Sequence, residues 1–266
     1  MKKYVLGAYI GDICGSIYEF SWSDKTTLFE KGCRITDDSI MTAAVWDMYI
    51  NNELRDKNKI IKTFRKWGCK YPTGRYGMSF FNWLFSPNPQ PYNSCGNGAA
   101  MRISPIGWIA KNEQEVKEFS YNVTSVTHNH PEGIKGAETI AMCIFYARTG
   151  KSKKFLWDYA ISQYPNMEKI FMEYVSNYGK PFEGLTTCQK TVPLSLYCFF
   201  KSNSFRECLE NALSLGGDSD TNSAIACSVA EAFYKDVPED IAKRTFKKLP
   251  KDILQITKKV YNKINR

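Results

Sequence analysis

Histidine is almost absent from this 266-residue chain: His128 and His130 are the only two, and they stand two residues apart. That spacing does not place two imidazoles on one helical face, so a histidine-based zinc site is disfavoured. The nine cysteines, at positions 14, 33, 69, 95, 143, 188, 198, 208 and 227, are odd in number and never closer than ten residues. No CxxC or zinc-ribbon spacing results, and the pattern reads as buried thiols in a reducing cytoplasm. No apolar run approaches the roughly 18 residues of a membrane span; the longest are short stretches such as 140–147. The first ten residues imitate a signal peptide, with Lys2 and Lys3 before an apolar stretch, but Asp12 ends that stretch too early. Pro/Ser-rich linkers, internal repeats and extended strand-like alternation are missing as well.

What is present is ample apolar material, 43% of residues, enough to bury a sizeable core. A net charge of +9 raises the question of nucleic acid. The excess is local, however: residues 241–266 carry nine Lys/Arg against Asp252 alone, which leaves the rest of the chain nearly neutral. In that tail Ile253, Ile256, Val260, Tyr261 and Ile264 fall on one helical stripe with lysines opposite. No base-stacking aromatics are interleaved with the lysines, so a solvated helix face explains them better than a nucleic-acid patch. Nucleic acid is a disfavoured partner, though not an excluded one.

Helical periodicity dominates. Helices are expected at 40–49, along Val116, Phe119, Val123 and Val126, and at 138–147, 192–200, 205–213 and 224–233. Turn chemistry clusters at 7–15, 71–77, 86–98, 128–133, 178–184 and 216–220, although the glycines of 7–15, set in an apolar background, would also permit close helix packing. The fold class that follows is all-α, a single compact multi-helix domain over residues 1–266. Residues 67–92, rich in aromatics, Gly and Pro, are expected to form a long functional loop.

Two acidic clusters carry the chemistry: Thr36-Asp37-Asp38-Ser39 and Gly216-Gly217-Asp218-Ser219-Asp220-Thr221. Each opens an expected helix, and either alone is explained by N-capping and the helix dipole. Both, however, precede almost entirely apolar helices that should be buried, which brings their carboxylates inside too. Ionised buried carboxylates cost several kcal/mol each unless paired or metal-bound, and neither cluster contains Lys or Arg. Oxygen donors without His or Cys make a hard site, suited to Mg²⁺ or Mn²⁺. Four carboxylates suggest two divalent ions, which at roughly 3.5 to 4 Å separation can orient vicinal hydroxyls and activate a water.

Three further features are weaker alone. Glu19, between Tyr18 and Phe20, is placed where a partly apolar setting would raise its pKa toward general acid/base use, although most glutamates are simply exposed. The segment Ser94-Cys95-Gly96-Asn97-Gly98-Ala99-Ala100-Met101-Arg102 offers backbone amides able to cradle phosphate, but Asn-Gly turns are common for conformational reasons alone. His130, before Pro131, suits a turn role, whereas His128 is free to face a ligand.

Taken in order, these five segments resemble the ADP-ribosylglycohydrolase family, which includes dinitrogenase-reductase-activating glycohydrolases and ADP-ribosylarginine and ADP-ribosylserine hydrolases. The resemblance spans most of the chain and extends to Tyr71-Pro72-Thr73-Gly74-Arg75-Tyr76-Gly77 and Thr187-Cys188-Gln189-Lys190-Thr191-Val192-Pro193. It implies a binuclear Mg²⁺ or Mn²⁺ centre held by Thr36, Asp37, Asp38, Asp218, Asp220 and Thr221. Glu19, with Asp37 and Asp38, would serve catalysis, and Tyr76, Gly77, Ser94, Gly96, Asn97, Gly98, Met101 and His128 would contact substrate. The implied reaction is hydrolysis of the ribose C1″ glycosidic bond of an ADP-ribosylated protein or small molecule, releasing ADP-ribose, by a cytoplasmic monomer. One departure stands out: Lys190 occupies a position where the family usually has a small residue, which questions the local loop geometry. Two alternatives stay open: a scaffold that binds ADP-ribose or serves structurally without turnover, and a two-metal phosphoesterase.

Overall fold

The computed structural model describes residues 5–22, 27–180 and 182–264. The described residues are helical, with no strand; the β-type pairing is confined to two isolated bridges, Ser21 with Gly217 and Gly96 with Thr187. The first helices are α1 (Gly7–Gly15), α2 (Asp37–Ile50), α3 (Lys57–Lys70), α4 (Met78–Phe85), α5 (Gly98–Met101) and α6 (Ser104–Ile109). They are followed by α7 (Glu113–Ser125), α8 (Pro131–Arg148), α9 (Lys153–Gln163), α10 (Met167–Ser176) and α11 (Cys188–Phe200). The chain closes with α12 (Phe205–Ser214), α13 (Ser219–Tyr234), α14 (Glu239–Lys248) and α15 (Lys251–Ile264). Each helix expected from periodicity is present, and the all-α class holds. None of these helices is long and apolar enough to cross a membrane.

The structure corrects the turn expected at 7–15, which is instead the fully buried helix α1. Its glycines serve packing. Gly7, Gly11 and Gly15 recur every four residues and so share one face. A Cβ on them would lie 2.4 Å from Cys227 O, 2.2 Å from Ser223 C and 2.5 Å from Asp220 Cα. Helix α1 thus runs antiparallel to α13 in backbone-to-backbone contact, and that contact offsets the ~0.5–1 kcal/mol each glycine costs a helix. The carboxylate of Glu231, buried on α13, accepts from Leu6 N at 3.1 Å and Gly7 N at 2.6 Å. It thereby satisfies the first amides of α1, where Leu6 has no capping side chain. Of the stretch that imitates a signal peptide, residues 1–4 lie outside the described residues and the remainder leads into α1.

The long loop expected at 67–92 is also corrected. It contains the end of α3 and all of α4, where Phe80, Trp83 and Leu84 form a buried i, i+3, i+4 stripe. Irregular chain here is confined to residues 71–77, between the two helices, and to the stretch from Ser86 to Asn97. At the C-terminus α15 packs on α2 through Ile253, Ile256 and Val260, with Lys258, Lys259 and Lys263 on its exposed side. The amphipathic stripe is as expected, with its apolar side buried and its basic side exposed. Lys190 lies within the first turn of α11 with its ammonium 4.9 Å from the Phe182 ring centroid, so the helix accommodates it. All nine cysteines are free thiols, and most are buried.

Candidate active site

The glycine contacts between α1 and α13 set the site, because Asp12 follows Gly11 and Asp220 faces Gly15. Asp12, absent from the sequence-based set, is fully buried. It accepts hydrogen bonds from Thr36 N at 2.9 Å, Thr36 Oγ1 at 2.6 Å and Ser39 N at 3.1 Å. A residue of α1 therefore caps the start of α2. The formal N-cap residues of α2 and α13, Thr36 and Asp218, make no side-chain capping bond of their own. Capping accordingly does not account for the paired acidic motifs.

The two motifs, far apart in sequence, come together. Oxygens of Asp12, Asp38 and Asp220 all lie within 4.8 Å of one another. Thr36 Oγ1 and Thr221 Oγ1 approach Asp38 Oδ2 at 3.2 and 3.4 Å, while Asp38 Oδ1 is buried without a partner. Burial first, and then the neighbouring carboxylates, hold the protons of Asp37, Asp38 and Asp220 well above the usual carboxylate range. Asp12 is pushed up to about 6 by burial, against hydrogen bonds from Thr36 and Ser39. Oxygen donors, mutual repulsion and an orphaned carboxylate oxygen fit a hard divalent cation.

The carboxylates of α2 and α13 line a cavity of about 360 Å³, with Asp12 behind them. Asp37, Asp38, Asp218, Asp220, Thr221 and Glu19 face it, as do Gly77, Ser94, Gly96, Asn97, Gly98, Met101 and His128. Two of the expected residues do not. Thr36 stands behind the lining, bonded to Asp12, and Tyr76 turns inward, with its ring 5.6 Å from that of Phe80 and its hydroxyl buried. Glu19 is half-buried and pairs with Arg75, which also donates to Ser16 O at 3.1 Å. Burial raises the Glu19 pKa, Arg75 opposes that, and Asp218 adds to it. Phe20, one flank of the expected apolar setting, is exposed, and Tyr18 is buried.

The small-residue loop differs from a simple phosphate cradle. Gly96 N donates to Ser94 Oγ at 3.0 Å and Asn97 N to Thr186 O at 2.8 Å. Two of the three successive amides from Gly96 to Gly98 are thus satisfied within the protein. Asn97 instead braces the acidic end, with Nδ2 bonded to Asp218 Oδ2 at 2.6 Å and to Thr191 Oγ1 at 3.0 Å. His128 is buried at the cavity wall, and burial together with Arg102 holds its pKa well below the usual imidazole value. His130 has the expected turn role, capping α8 by accepting from Glu132 N at 3.1 Å.

Sequence reasoning missed Asp12, Arg75 and Arg102 as parts of this region. The signal for Asp12 was present: a lone acid in an apolar stretch whose glycines recur every four residues.

Over 273 residues the chain is 23% identical to the ADP-ribosyl-(dinitrogen reductase) glycohydrolase of Rhodospirillum rubrum, covering 93% of this chain and 90% of that protein. It is 25% identical to ADP-ribosylhydrolase ARH3 of Homo sapiens, covering 88% and 85% respectively. A solved structure described as an ADP-ribosylglycohydrolase-related protein complex shares the fold with a TM-score of 0.71 and 19% identity, over 98% of this chain and 96% of that one. A family model described as ADP-ribosylglycohydrolase matches residues 1–266, and the chain belongs to that family.

Proposed function

We propose that this chain, acting as one domain over residues 1–266, is a metal-dependent hydrolase. Its substrate would be an ADP-ribosylated protein side chain or small molecule, cleaved at the ribose C1″ glycosidic bond to release ADP-ribose. The observation that carries this is the convergence of buried carboxylates from α1, α2 and α13, without a cationic partner in the cluster, with those of α2 and α13 facing a cavity. Thr36, Asp37, Asp38, Asp218, Asp220 and Thr221 are the residues that would hold two divalent ions, Mg²⁺ or Mn²⁺, with Asp12 supporting them from behind. When bound, such ions supply Lewis-acid polarisation and orientation of vicinal hydroxyls.

The protein's own groups do the rest. Asn97 fixes Asp218, and Asp12 fixes the backbone at Thr36 and Ser39, so the acidic end is held before substrate arrives. Glu19, with its raised proton affinity and a tie to Arg75, is the group to move a proton at the scissile bond. Gly77, Ser94, Gly96, Gly98, Met101 and His128 would contact the remainder of the ligand, and Tyr76 would support that wall from within. An oxocarbenium-like transition state at the anomeric carbon is stabilised by carboxylates fixed nearby.

The test is incubation of the full chain with Mg²⁺ and ADP-ribosylated protein, followed by product analysis. Intact ADP-ribose supports the reading, AMP plus ribose phosphate identifies a phosphoesterase, and absence of product identifies a binding scaffold. Asp220→Ala should lower turnover by about 10²–10³-fold or more while the metal-free fold survives, since one buried like charge is removed. Near-normal turnover in that variant would overturn the metal assignment. Release assays on arginine-linked and serine-linked ADP-ribose then identify the acceptor.

A further inference from the structure

Arg102 is among the largest fully buried side chains of the protein, only 1% exposed. Its Nη2 donates to the hydroxyl of Thr127 at 2.6 Å rather than to a carboxylate, and its Nε has no hydrogen-bond partner. The guanidinium lies 4.4 Å from the ring centroid of Phe64 and 5.5 Å from that of Phe80. Burial lowers its pKa to about 10, so it remains a cation at neutral pH. A buried cation in such surroundings is costly unless negative charge comes to it.

Thr127 passes this charge on. Its Oγ1 accepts from Arg102 and has one proton to give. Two acceptors are in reach, Thr124 O at 3.4 Å and His128 Nδ1 at 2.7 Å. The shorter contact is the stronger bond, and a hydroxyl that already accepts from a cation is a better donor than acceptor toward a second group. An N–H at His128 Nδ1 would instead put two donors on that oxygen and leave the hydroxyl's own proton only the longer contact to Thr124 O. The geometry favours a proton running from Thr127 to Nδ1, which leaves the ring's own N–H on Nε2. That edge faces the cavity past two glycines: a Cβ on Gly98 would be 3.1 Å from Nε2, and one on Gly96 3.6 Å.

We infer that Arg102 and Thr127 are positioning residues that lock His128 as the Nε2–H tautomer, a neutral donor aimed at an anionic oxygen of the ligand. The inference rests on the reading of the cavity as an ADP-ribose site, in which the pyrophosphate supplies such oxygens. It also assigns the ligand a donor where the amides of Gly96 and Asn97 are already occupied. Arg102 lends its positive charge to the same wall.

The experiment is a long-range ¹H–¹⁵N spectrum of the full chain labelled in its two histidines at pH 7.5, with His130→Asn to assign the signals. The expected wild-type result is Nε2 protonated and Nδ1 bare at His128. Thr127→Val, equal in shape and without the hydroxyl, should yield a tautomer mixture and weaken ADP-ribose binding by roughly tenfold, whereas Thr127→Ser restores both. A wild-type Nδ1–H tautomer overturns the inference even if Thr127→Val does not fold. So does a folded Thr127→Val whose tautomer and ADP-ribose affinity match the wild type. The expected tautomer in a protein that ignores ADP-ribose would uphold the lock and refute the ligand reading instead, so the two failures are distinguishable.

Discussion

Gly11→Ala tests the contact on which the whole acidic end depends. The added methyl carbon would lie 2.2 Å from Ser223 C, 2.2 Å from Ser223 O and 2.3 Å from Ala224 N. All three are backbone atoms of a buried helix, so no side-chain rotation relieves them. Real Cβ atoms essentially never approach below 3.0 Å, and α1 must therefore move off α13 by about 1 Å, loosening dispersion contacts along the interface. Overpacking ordinarily costs about 1–3 kcal/mol, and a backbone-only clash belongs at or above the top of that range. The helix propensity gained by replacing glycine returns only ~0.5–1 kcal/mol. The net loss is then about 2–3 kcal/mol, which for a chain of this size lowers Tm by about 4–12 °C. Thermal unfolding followed by circular dichroism in EDTA measures it, with Gly77→Ala as control because a Cβ there meets nothing within 4 Å. If Gly11→Ala melts with the wild type while retaining turnover, backbone-to-backbone contact is not what sets the position of Asp12 and Asp220, and the derivation of the site fails.

Two other outcomes follow from the charges. In the metal-free protein, Asp12, Asp37, Asp38 and Asp220 keep protons to higher pH folded than unfolded, Asp12 up to about 6 against an ordinary 3.8. The folded state therefore binds more protons across that window, and stability is lost as pH rises through it. Glu231, raised to about 7 by burial, acts with the same sign. The Tm in EDTA should fall from pH 5 to pH 7.5, and added Mg²⁺ or Mn²⁺ should raise it more at pH 7.5, where the carboxylates are ionised. A metal-free Tm that climbs over this interval contradicts the predicted repulsion. Arg75→Ala removes the cation that opposes the raised Glu19 pKa, so the Glu19 limb of the kcat/KM profile should move to higher pH; a limb that stays put or moves down shows that Arg75 does not tune Glu19.

Much of the site was legible because its signals are local. Helix starts, apolar periodicity and clustered carboxylates are properties of a few consecutive residues, and burial of the helices behind Thr36 to Ser39 and Asp218 to Thr221 could be deduced from their composition. The pairing of Glu19 with Arg75 and the inward turn of Tyr76 were not, since each depends on a neighbour from another segment. The reading of 67–92 as loop failed on a short stripe, Phe80, Trp83 and Leu84, hidden among Gly and Pro.

The sequence by itself determined an all-α chain with two acidic helix starts, a lone glutamate in a small-residue segment, and a basic helix face apart from all of them. It determined these because residue type and spacing fix local backbone preference and which face must leave water. The sequence left the glycines of 7–15 open to two readings, turn chemistry and close helix packing, and only the tertiary structure decided for packing by laying Gly7, Gly11 and Gly15 against α13. Only it brought Asp12 under Thr36, joined Asp38 to Asp220, and linked Arg102 through Thr127 to His128. Those relations are distances between segments separated by much of the chain, and a distance of that kind exists only once the helices have packed.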